Sequence, residues 1–269
     1  MAIDSVSSGI INQINKTTNT ISNLFNQLAT GKRVNSAKDD PASLAIGTGL
    51  QTSIQSLNAV NQGISTSQGV LSTAAGGLDS TLNSLQQARS LALQASNGTL
   101  NDNQRAGLQQ QYDQTMQNID QVSSQTNFNG TNLLDGSFSQ SVTTGTDGQS
   151  TNVSIGSVSS SALGVSATGI STQASAQDAL ASIDSAISQV ETQQSNIGAA
   201  QSSFNFSSSA NSIAAENLSA AASTTTDSDL ANVTSQLSQQ KVLVQAQVLA
   251  LKAKNDEVKT AGKSLISTM

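Results

Sequence analysis

Charged side chains are scarce in this sequence, at 10% of its residues, and one short loop near the start concentrates them. The stretch "GKRVNSAKDDP" (residues 31–41) holds three of the eleven basic residues and the only proline of the 269-residue chain. Charges at such close spacing can stabilise helix ends or make charge-assisted contacts with a partner. The loop therefore has two candidate roles, helix capping and binding.

Composition restricts the chemistry that the remaining residues could do. The chain has no histidine and no cysteine. It therefore lacks the parts of a Ser-His-Asp triad, a Cys-His pair, a histidine-ligated metal site or a disulfide framework. We expect a protein that is not an enzyme and that has no cofactor and no bound metal.

The charged residues are unevenly distributed along the chain. Residues 1–38 hold four basic residues and one acidic residue, and residues 230–269 hold five basic and two acidic residues. Residues 39–229 hold two basic and fourteen acidic residues, so the ends and the middle are expected to face different surroundings. The ends are only mildly basic and contain one aromatic residue, Phe25, so nucleic acid is not an expected partner.

No stretch of the sequence predicts a membrane span. No apolar run approaches the roughly 20 residues that a membrane-spanning helix needs. The start, "MAIDSVSSGIINQINK", lacks the basic region and the continuous apolar region of a secretory signal peptide. We expect no membrane association, and any export would use a route without a cleaved signal peptide.

Apolar residues seven positions apart are the strongest structural pattern. Positions 50, 57, 64, 71, 78, 85 and 92 are Leu, Leu, Ile, Leu, Leu, Leu and Ala. This spacing keeps one side of a helix against a partner helix. It predicts a helix from Pro41 to Asn97 with a length of about 85 Å.

Three further segments carry the same spacing. They are Ile14, Ile21 and Leu28; Ile183, Val190, Ile197, Phe204 and Leu218, interrupted by Asn211; and Leu230, Leu237, Val244, Leu251, Val258 and Leu265. Together the segments predict a mainly α fold, with a long coiled-coil-like helical rod and paired terminal helices. The pattern leaves open whether a partner helix belongs to the same chain or to a neighbour. Because the terminal stripes are narrow, we expect residues 1 to about 33 and about 228–269 to be mobile in the monomer and to fold on assembly.

Turn and cap residues divide the predicted helices. Gly31 is placed to end the first helix, and Asp40 and Pro41 are placed to begin the next. In the Gly/Ser/Thr-rich stretch from Asp135 to about Thr172, the run "GTDG" between Val142 and Ile155 predicts a small β-hairpin. A flexible linker is the alternative for the whole stretch. The predicted segments are a terminal helix with its loop (1–40), a helical rod (41–134), a β element (135–173), a returning rod (174–225) and a C-terminal helix (226–269).

The stretch "LATGKRVNSAKDDPASLAIG" (28–47) strongly resembles the signature of bacterial flagellins. The resemblance continues in the family's order through "LQQARSLALQASNGT" (85–99), "NIDQVSSQTNFNGTNLLDG" (118–136) and "AQDALASIDSAISQVETQQSNIGAAQSSF" (176–204). The chain resembles a short flagellin without variable outer domains, because the segment Phe138–Thr172 is followed directly by a helical segment. The ending "GKSLISTM" and the absence of proline from "KAKNDEVKTAG" depart from the family pattern and concern the packing of the terminal helices.

This resemblance implies a structural subunit that self-assembles into the extracellular flagellar filament and serves motility. It implies as partners other copies of the chain, an export chaperone that binds the C-terminal stripe, and the filament cap and hook–filament junction proteins. The loop would lie where the inner helices meet the outer rod and where subunits touch. The residues expected to carry self-assembly are Arg33, Asn35, Ser36, Lys38, Asp39 and Asp40 in the loop, and Leu237, Val244, Leu251 and Val258 near the C-terminus.

Two alternative functions account for parts of the sequence. A hook–filament junction protein shares the terminal pattern, but it typically carries a larger middle segment than this chain. A secreted coiled-coil adhesin or effector would not require matching basic ends or the Asn-Ser-Ala-Lys-Asp-Asp loop. The compact β segment and the loop therefore favour the filament subunit.

The resemblance also concerns recognition by the animal innate receptor for flagellin. Arg89, Leu91 and Gln94 match positions that contact the receptor in the family members it detects. Gln87 stands where a further arginine is usual, and Gln111 stands near the place of a usual glutamate. We therefore expect Arg89 to be a solvated residue paired within the filament, and signalling through the receptor to be weak or absent.

Overall fold

The computed structural model describes the backbone of residues 2–267 and the side chains of residues 7–261 and 263. In chain order its elements are α1 (Ala2–Thr30), α2 (Pro41–Ala95), α3 (Asp102–Gln125), β1 (Asn127–Phe128), β2 (Thr131–Asn132), β3 (Ser139–Thr143), β4 (Ser150–Ser154), α4 (Gln173–Thr226) and α5 (Leu230–Ser267). The predicted mainly α fold with a small β-hairpin is confirmed. The expectations that fall on Met1, Thr268, Met269 and the side chain of Leu265 lie outside the described residues.

The chain forms two compact units. The central unit is Ser53–Glu216, and the terminal unit is Met1–Thr52 together with Asn217–Met269. Helices α2 and α4 contribute residues to both units, because each helix continues past a unit boundary. The division into five segments remains a prediction.

The core of the central unit is built on the stripe of α2. Its residues at seven-residue intervals from 57 to 92 are all buried. Helix α3 adds Tyr112 and Ile119, and α4 adds Ile183 and Phe204, each with no exposed surface. The spacing therefore predicted the buried face of α2 correctly, and its partner helices belong to the same chain.

Polar side chains at the margins of this core show the direction of α4. The amide of Gln194 donates to the Asp79 carboxylate at 2.6 Å, and the amide of Gln68 donates to Asn205 Oδ1 at 2.8 Å. Residue numbers fall along α2 as they rise along α4. The two helices are therefore antiparallel within the central unit.

The Gly76-Gly77 pair does not interrupt α2. A Cβ atom added to Gly76 would meet no atom within 4 Å. A Cβ atom on Gly77 would lie 2.5 Å from Leu134 Cδ1 and 2.7 Å from Thr126 Oγ1. Gly77 thus permits the segment that follows α3 to approach the helix closely.

Two antiparallel strand pairs follow α3 in the described part of the chain. Strands β1 and β2 are joined by Asn129-Gly130, whose φ angles of 50° and 80° match a type I′ turn. Strands β3 and β4 pair from Ser139 opposite Ser154 to Thr143 opposite Ser150. The hairpin lies where the sequence predicted it.

Residues 155–172 lie against α3, so the alternative of a flexible linker is wrong for this part. The Asp120 carboxylate accepts hydrogen bonds from the N–H (2.8 Å) and hydroxyl (2.9 Å) of Ser160. The Tyr112 hydroxyl lies 2.5 Å from Thr168 Oγ1. The buried apolar residues of this segment are Ile155, Val158, Leu163, Val165 and Ile170.

A polar layer interrupts the apolar core of the central unit. Asn211 stands in the stripe of α4 and is buried. Its amide donates to Asn61 Oδ1 at 3.3 Å and to the Thr144 carbonyl at 3.0 Å. The layer ties the hairpin to α2 and α4, and a polar residue such as Asn211 in the seam between helices favours one helix register.

In the terminal unit, α1 and α5 pack as an antiparallel pair. Lys32 forms a β-bridge with Asp227 at one end. Further along, the amide of Gln247 donates to Thr17 Oγ1 at 3.3 Å. The predicted pairing of the terminal helices is confirmed, and both partners belong to one chain.

The apolar core of this pair is small. Its buried residues are Leu24, Val233 and Leu237, with Ile21 and Leu28 half-buried beside them. The side-chain oxygen of Gln247 is buried without a hydrogen-bond partner among the described residues. The described parts of α1 and α5 therefore bury little apolar surface for their length.

Candidate functional site: the charged loop and the faces of the terminal helices

The loop between α1 and α2 begins and ends with the structures that the sequence predicted. Gly31 has a φ of 70°, and its N–H donates to the Gln27 carbonyl at 2.9 Å. Asp40 Oδ1 accepts the N–H groups of Ala42 (3.1 Å) and Ser43 (3.0 Å). The Ser43 hydroxyl, 2.6 Å from the second carboxylate oxygen, lowers the pKa of Asp40. The left-handed conformation of Gly31 at the end of α1 and the N-cap of α2 at Asp40 are confirmed.

The Asp39 carboxylate organises the middle of the loop. Its Oδ2 accepts the N–H of Asn35 (3.2 Å), the N–H of Ser36 (3.0 Å) and the Ser36 hydroxyl (2.8 Å). The hydroxyl makes the largest contribution to lowering the pKa of Asp39. The Asn35 side-chain amide donates to the Lys32 carbonyl at 3.1 Å. Asn35, Ser36 and Asp39 therefore hold the loop in shape through contacts within it.

Arg33 joins the loop to the end of α4. Its backbone N–H donates to the Thr226 carbonyl at 2.7 Å, and its Nη2 donates to the Thr225 carbonyl at 2.7 Å. Nη1 lies 3.9 Å from the Asp40 carboxylate. Val34 is buried beside this contact. The guanidinium thus satisfies a carbonyl at a helix C-terminus, where a cation is favourable.

Lys38 acts on the rest of the loop through its charge, which contributes to lowering the pKa of Asp39. Its side chain is exposed, and among the described residues its ammonium makes no hydrogen bond or ion pair. A polar cleft of about 710 Å³ lies beside it, between the end of α1 and the loop, and Asn26 and Asp39 contribute to its lining. This cleft, with a cation on its lining, is the part of the loop that can receive a partner.

The four predicted assembly residues of α5 differ in exposure. Leu237 is buried against α1, Val244 and Leu251 are half-buried, and Val258 is exposed. Leu237 therefore stabilises the helix pair within the chain. The side chains nearer the C-terminus leave more of their surface for a partner.

Several exposed apolar residues of α5 lie outside the predicted stripe, and Val242 and Leu249 among them share one face of the helix. Val242, Leu243, Val248 and Leu249 are between 42% and 66% exposed. On α1, Ile11 is 47% exposed and Phe25 is 46% exposed, although Lys241 lies 5.3 Å from the centre of the Phe25 ring. The run "KVLVQAQVLALK" contained the signal, because its apolar residues occupy more than one side of a helix. The seven-residue spacing alone does not reveal this face.

The residues matched to receptor contacts are not all on the surface. Arg89 is exposed, and its Nε donates to the Asp184 carboxylate at 2.6 Å, which raises the pKa of the guanidinium. Gln94 is exposed, and its amide donates to Ser90 Oγ at 3.4 Å. Leu91 is buried in the core of the central unit, so it offers no surface contact. Arg89 forms an ion pair with Asp184 of its own chain. The expected pairing of Arg89 within the filament stays a prediction.

Arg105 is a structural residue that the sequence did not reveal. It is buried, and its guanidinium donates to the Ala95 carbonyl at 2.9 Å and the Asn97 carbonyl at 3.0 Å. The signal was local, because the arginine follows the N-cap of α3 and can reach back to the end of α2. Asn101 forms that N-cap within a capping box.

The described residues contain no group of three or more acidic, histidine or cysteine side chains that could hold a metal ion. Among the described helices, none has both the length and the apolar character needed to cross a membrane.

Family models match most of the chain. The bacterial flagellin N-terminal helical region matches residues 5–139, and the bacterial flagellin C-terminal helical region matches residues 180–259. The B-type flagellin of Pseudomonas aeruginosa is 39% identical over 157 residues, which cover 56% of this chain and 31% of that protein. The phase 1 flagellin of Salmonella naestved is 32% identical over 155 residues, covering 57% of this chain and 31% of that protein. The matched part thus spans about a third of these relatives.

Two solved structures are similar to this fold. Bacillus cereus flagellin matches with a TM-score of 0.50 at 25% identity, covering 55% of this chain and 86% of that chain. A Vibrio parahaemolyticus protein, provisionally described as a flagellar hook-associated protein, matches with a TM-score of 0.60. Its identity is 17%, with 70% of this chain and 99% of that chain covered, so the likeness concerns the fold alone. With the charged loop, α2 and α3 inside one family match and most of α4 and α5 inside the other, the chain belongs to the bacterial flagellin family.

Proposed function

We propose that this chain is a structural subunit that self-assembles into the bacterial flagellar filament and serves motility. The observation that carries the proposal is the imbalance in the terminal unit. Its described helices bury only three residues in an apolar cluster, yet both helices expose large apolar side chains. Removing such surface from water contributes about 25 cal/mol per Å² of favourable free energy, and neighbouring copies would cover it. Membership of a structural protein family supports the proposal and gives no reason to assign catalysis.

The charged loop would serve assembly in two ways. Arg33, Asn35, Ser36, Asp39 and Asp40 set its shape through the contacts described above, and Lys38 presents a charge to the neighbouring subunit. A shaped loop loses little conformational entropy when it binds, so its contacts contribute more to the free energy of assembly. Lys38 is therefore the residue of this loop whose charge should matter more for assembly than for the monomer, where it contributes to lowering the pKa of Asp39.

The exposed face of α5 would need cover before assembly. Exposed apolar faces of this kind promote aggregation, and a groove that receives an amphipathic helix is a common form of cover. We therefore include an export chaperone that binds α5 among the partners. A chain deleted from about residue 228 should lose this binding. Val242→Ser with Leu249→Ser should weaken it, whereas Ile11→Ser on α1 should not; full affinity of the deleted chain would contradict the assignment.

The proposed location follows from the proposed function. A filament subunit acts in the extracellular flagellum, and we propose that it is exported without a cleaved signal peptide. Besides its own copies, its proposed partners are the filament cap and the hook–filament junction proteins. Nucleic acid and membrane lipid are not among them.

Recognition by the innate receptor for flagellin should be weak. Arg89 is already paired with Asp184, Leu91 is buried, and amides replace the charges usual at Gln87 and Gln111. Loss of an anchoring arginine costs about 2 kcal/mol, or roughly thirtyfold in affinity. In a reporter assay, Gln87→Arg with Gln111→Glu should partly restore signalling. Strong activation by the unchanged protein would contradict this expectation.

Seeded polymerisation followed by electron microscopy tests the proposed function. The unchanged protein should form long filaments on filament seeds. Lys38→Glu should retain the helicity of the monomer and lose filament growth, whereas Lys38→Arg should retain both. Short closed oligomers in place of filaments would favour a junction protein. The loop assignment would be wrong if Lys38→Glu polymerised as well as the unchanged protein.

A further inference from the structure

The central unit exposes one aromatic side chain to an unusual degree. Phe206 of α4 is 78% exposed, and Ile213, seven residues later on the same face, is 61% exposed. No charged residue occurs between Glu191 and Glu216. A phenyl ring this exposed contributes little to the core of its own chain and leaves most of its apolar surface for a partner.

An apolar cleft of about 230 Å³ lies between the β segment and the helices of the same unit. Its apolar lining comes from Leu71, Phe128, Phe138, Val142, Val153 and Phe204, and polar neutral residues such as Thr66 and Thr131 complete it. Small-molecule sites commonly measure about 300–1,000 Å³, which is larger than this cleft. An apolar cavity of about 150 Å³ is known to hold benzene, so the cleft can hold one phenyl ring.

Phe206 cannot fill the cleft of its own chain. Phe204 lines the cleft, and Phe206 stands two residues later, which places it about 200° further around the α4 axis. The phenyl ring and the cleft therefore face opposite sides of α4. A contact between two such different surfaces is heterologous, and repeated heterologous contacts form open helical polymers rather than closed dimers.

We propose that Phe206 of one copy inserts into this cleft of a neighbouring copy in the filament. The inference rests on the proposed function and names one of its subunit contacts. Neither the cleft lining nor the helix face from 192 to 215 carries a charge, so the contact leaves no charge buried and unpaired. In a chain of net charge −6, this pairing of neutral surfaces also avoids repulsion between copies.

The area of the contact explains why it would act only in a polymer. One phenylalanine buries about 150–250 Å², whereas a stable interface between two proteins buries about 1,200 Å² or more. The contact alone is too small to hold a dimer in solution. In a filament it would add to other contacts of the same subunit.

Polymerisation of full-length variants tests the contact. Phe206→Ala should raise the critical concentration for seeded growth about tenfold to a hundredfold, as expected from the loss of one buried aromatic side chain. Thr66→Trp, which places an indole at the cleft, should have a similar effect from the other surface. Both monomers should keep the helicity of the unchanged protein by circular dichroism. If the critical concentration of each variant equals that of the unchanged protein, the proposal is wrong.

Cross-linking locates the contact directly, because the natural chain has no cysteine. Phe206→Cys and Thr66→Cys chains should be copolymerised with unchanged protein and treated with a short bifunctional maleimide. A cross-linked dimer should form in mixed filaments and not in mixed monomers or with either variant alone. Ile213→Cys, about 10 Å further along α4, is the matched control and should cross-link far less. Equal yields from positions 206 and 213, or no dimer in filaments, would overturn the contact but not the proposed function; absence of filaments from unchanged protein would overturn both.

Discussion

The central and terminal units carry the same seven-residue spacing but bury very different amounts of apolar surface. In the central unit, α2, α3, α4 and the β segment enclose a core of 28 buried residues. In the terminal unit, the described parts of α1 and α5 enclose a cluster of three. The spacing therefore indicates that a helix has a partner, but it does not indicate how many partners the chain itself provides.

The difference in buried apolar surface predicts that the two units differ in stability in the monomer. The central unit has enough buried surface to stay folded as a monomer. Within its described residues, the terminal unit has a small apolar cluster, a buried Gln247 oxygen without a hydrogen-bond partner, and exposed apolar side chains on both helices. We infer that assembly, and not folding of the monomer, stabilises the terminal helices.

The largest effect should come from a charge in the central core. Leu78 is fully buried, so Leu78→Asp should destabilise the monomer by about 4 kcal/mol or more and greatly reduce its helicity. Leu237→Asp in the terminal seam should leave the central unit folded and abolish filament growth. Urea unfolding followed by circular dichroism measures both. An equal loss of helicity in the two variants would remove the distinction between the units.

An intermediate effect should distinguish two adjacent glycines of the central unit. Gly77→Ala introduces a methyl group 2.5 Å from Leu134 and should cost about 1–3 kcal/mol. Gly76→Ala meets no neighbouring atom and should stabilise the helix by about 0.5–1 kcal/mol. The midpoints of thermal unfolding should therefore shift in opposite directions. Two upward shifts would contradict the close contact of Gly77 with Leu134, and two downward shifts would contradict the open space at Gly76.

The smallest effect concerns acid and the charged loop. Hydrogen bonds from Ser36 and Ser43 lower the pKa values of Asp39 and Asp40 below the ordinary 3.8. Because the folded pKa values are the lower ones, the carboxylates stabilise the loop above about pH 4 and lose this effect as the pH falls through the lowered values. Ser36→Ala should raise the pKa of Asp39, whereas Ala37→Gly should leave it nearly unchanged. NMR titration of the carboxyl groups measures both; an unchanged Asp39 pKa in Ser36→Ala would contradict the assigned hydrogen bond.

Local sequence signals predicted much of the fold. The stripe of α2, the helix end at Gly31, the N-cap at Asp40 and the β-hairpin all depend on residues close together in the chain. The docking of residues 155–172 was not predictable in this way. It depends on Asp120 meeting Ser160 and Tyr112 meeting Thr168, pairs that lie 40 and 56 residues apart.

The candidate site was predicted less completely than the fold. The motif correctly drew attention to the loop, but it did not show that Asn35, Ser36 and Asp39 bind one another. These contacts depend on side-chain directions that spacing does not reveal. The exposed face that includes Val242 and Leu249 does not follow from the seven-residue spacing, because that spacing traces only one stripe of α5.

Amide hydrogen exchange, measured in the monomer and in the filament, shows whether assembly stabilises the terminal helices. In the monomer, the backbone amides of α1 and α5 should exchange rapidly. Those of α2 and α4 within Ser53–Glu216 should be strongly protected. In the filament, both sets should be protected. If α1 and α5 in the monomer are protected as strongly as the central helices, the terminal unit does not depend on assembly for its stability. The inference that assembly stabilises the terminal helices would then be wrong.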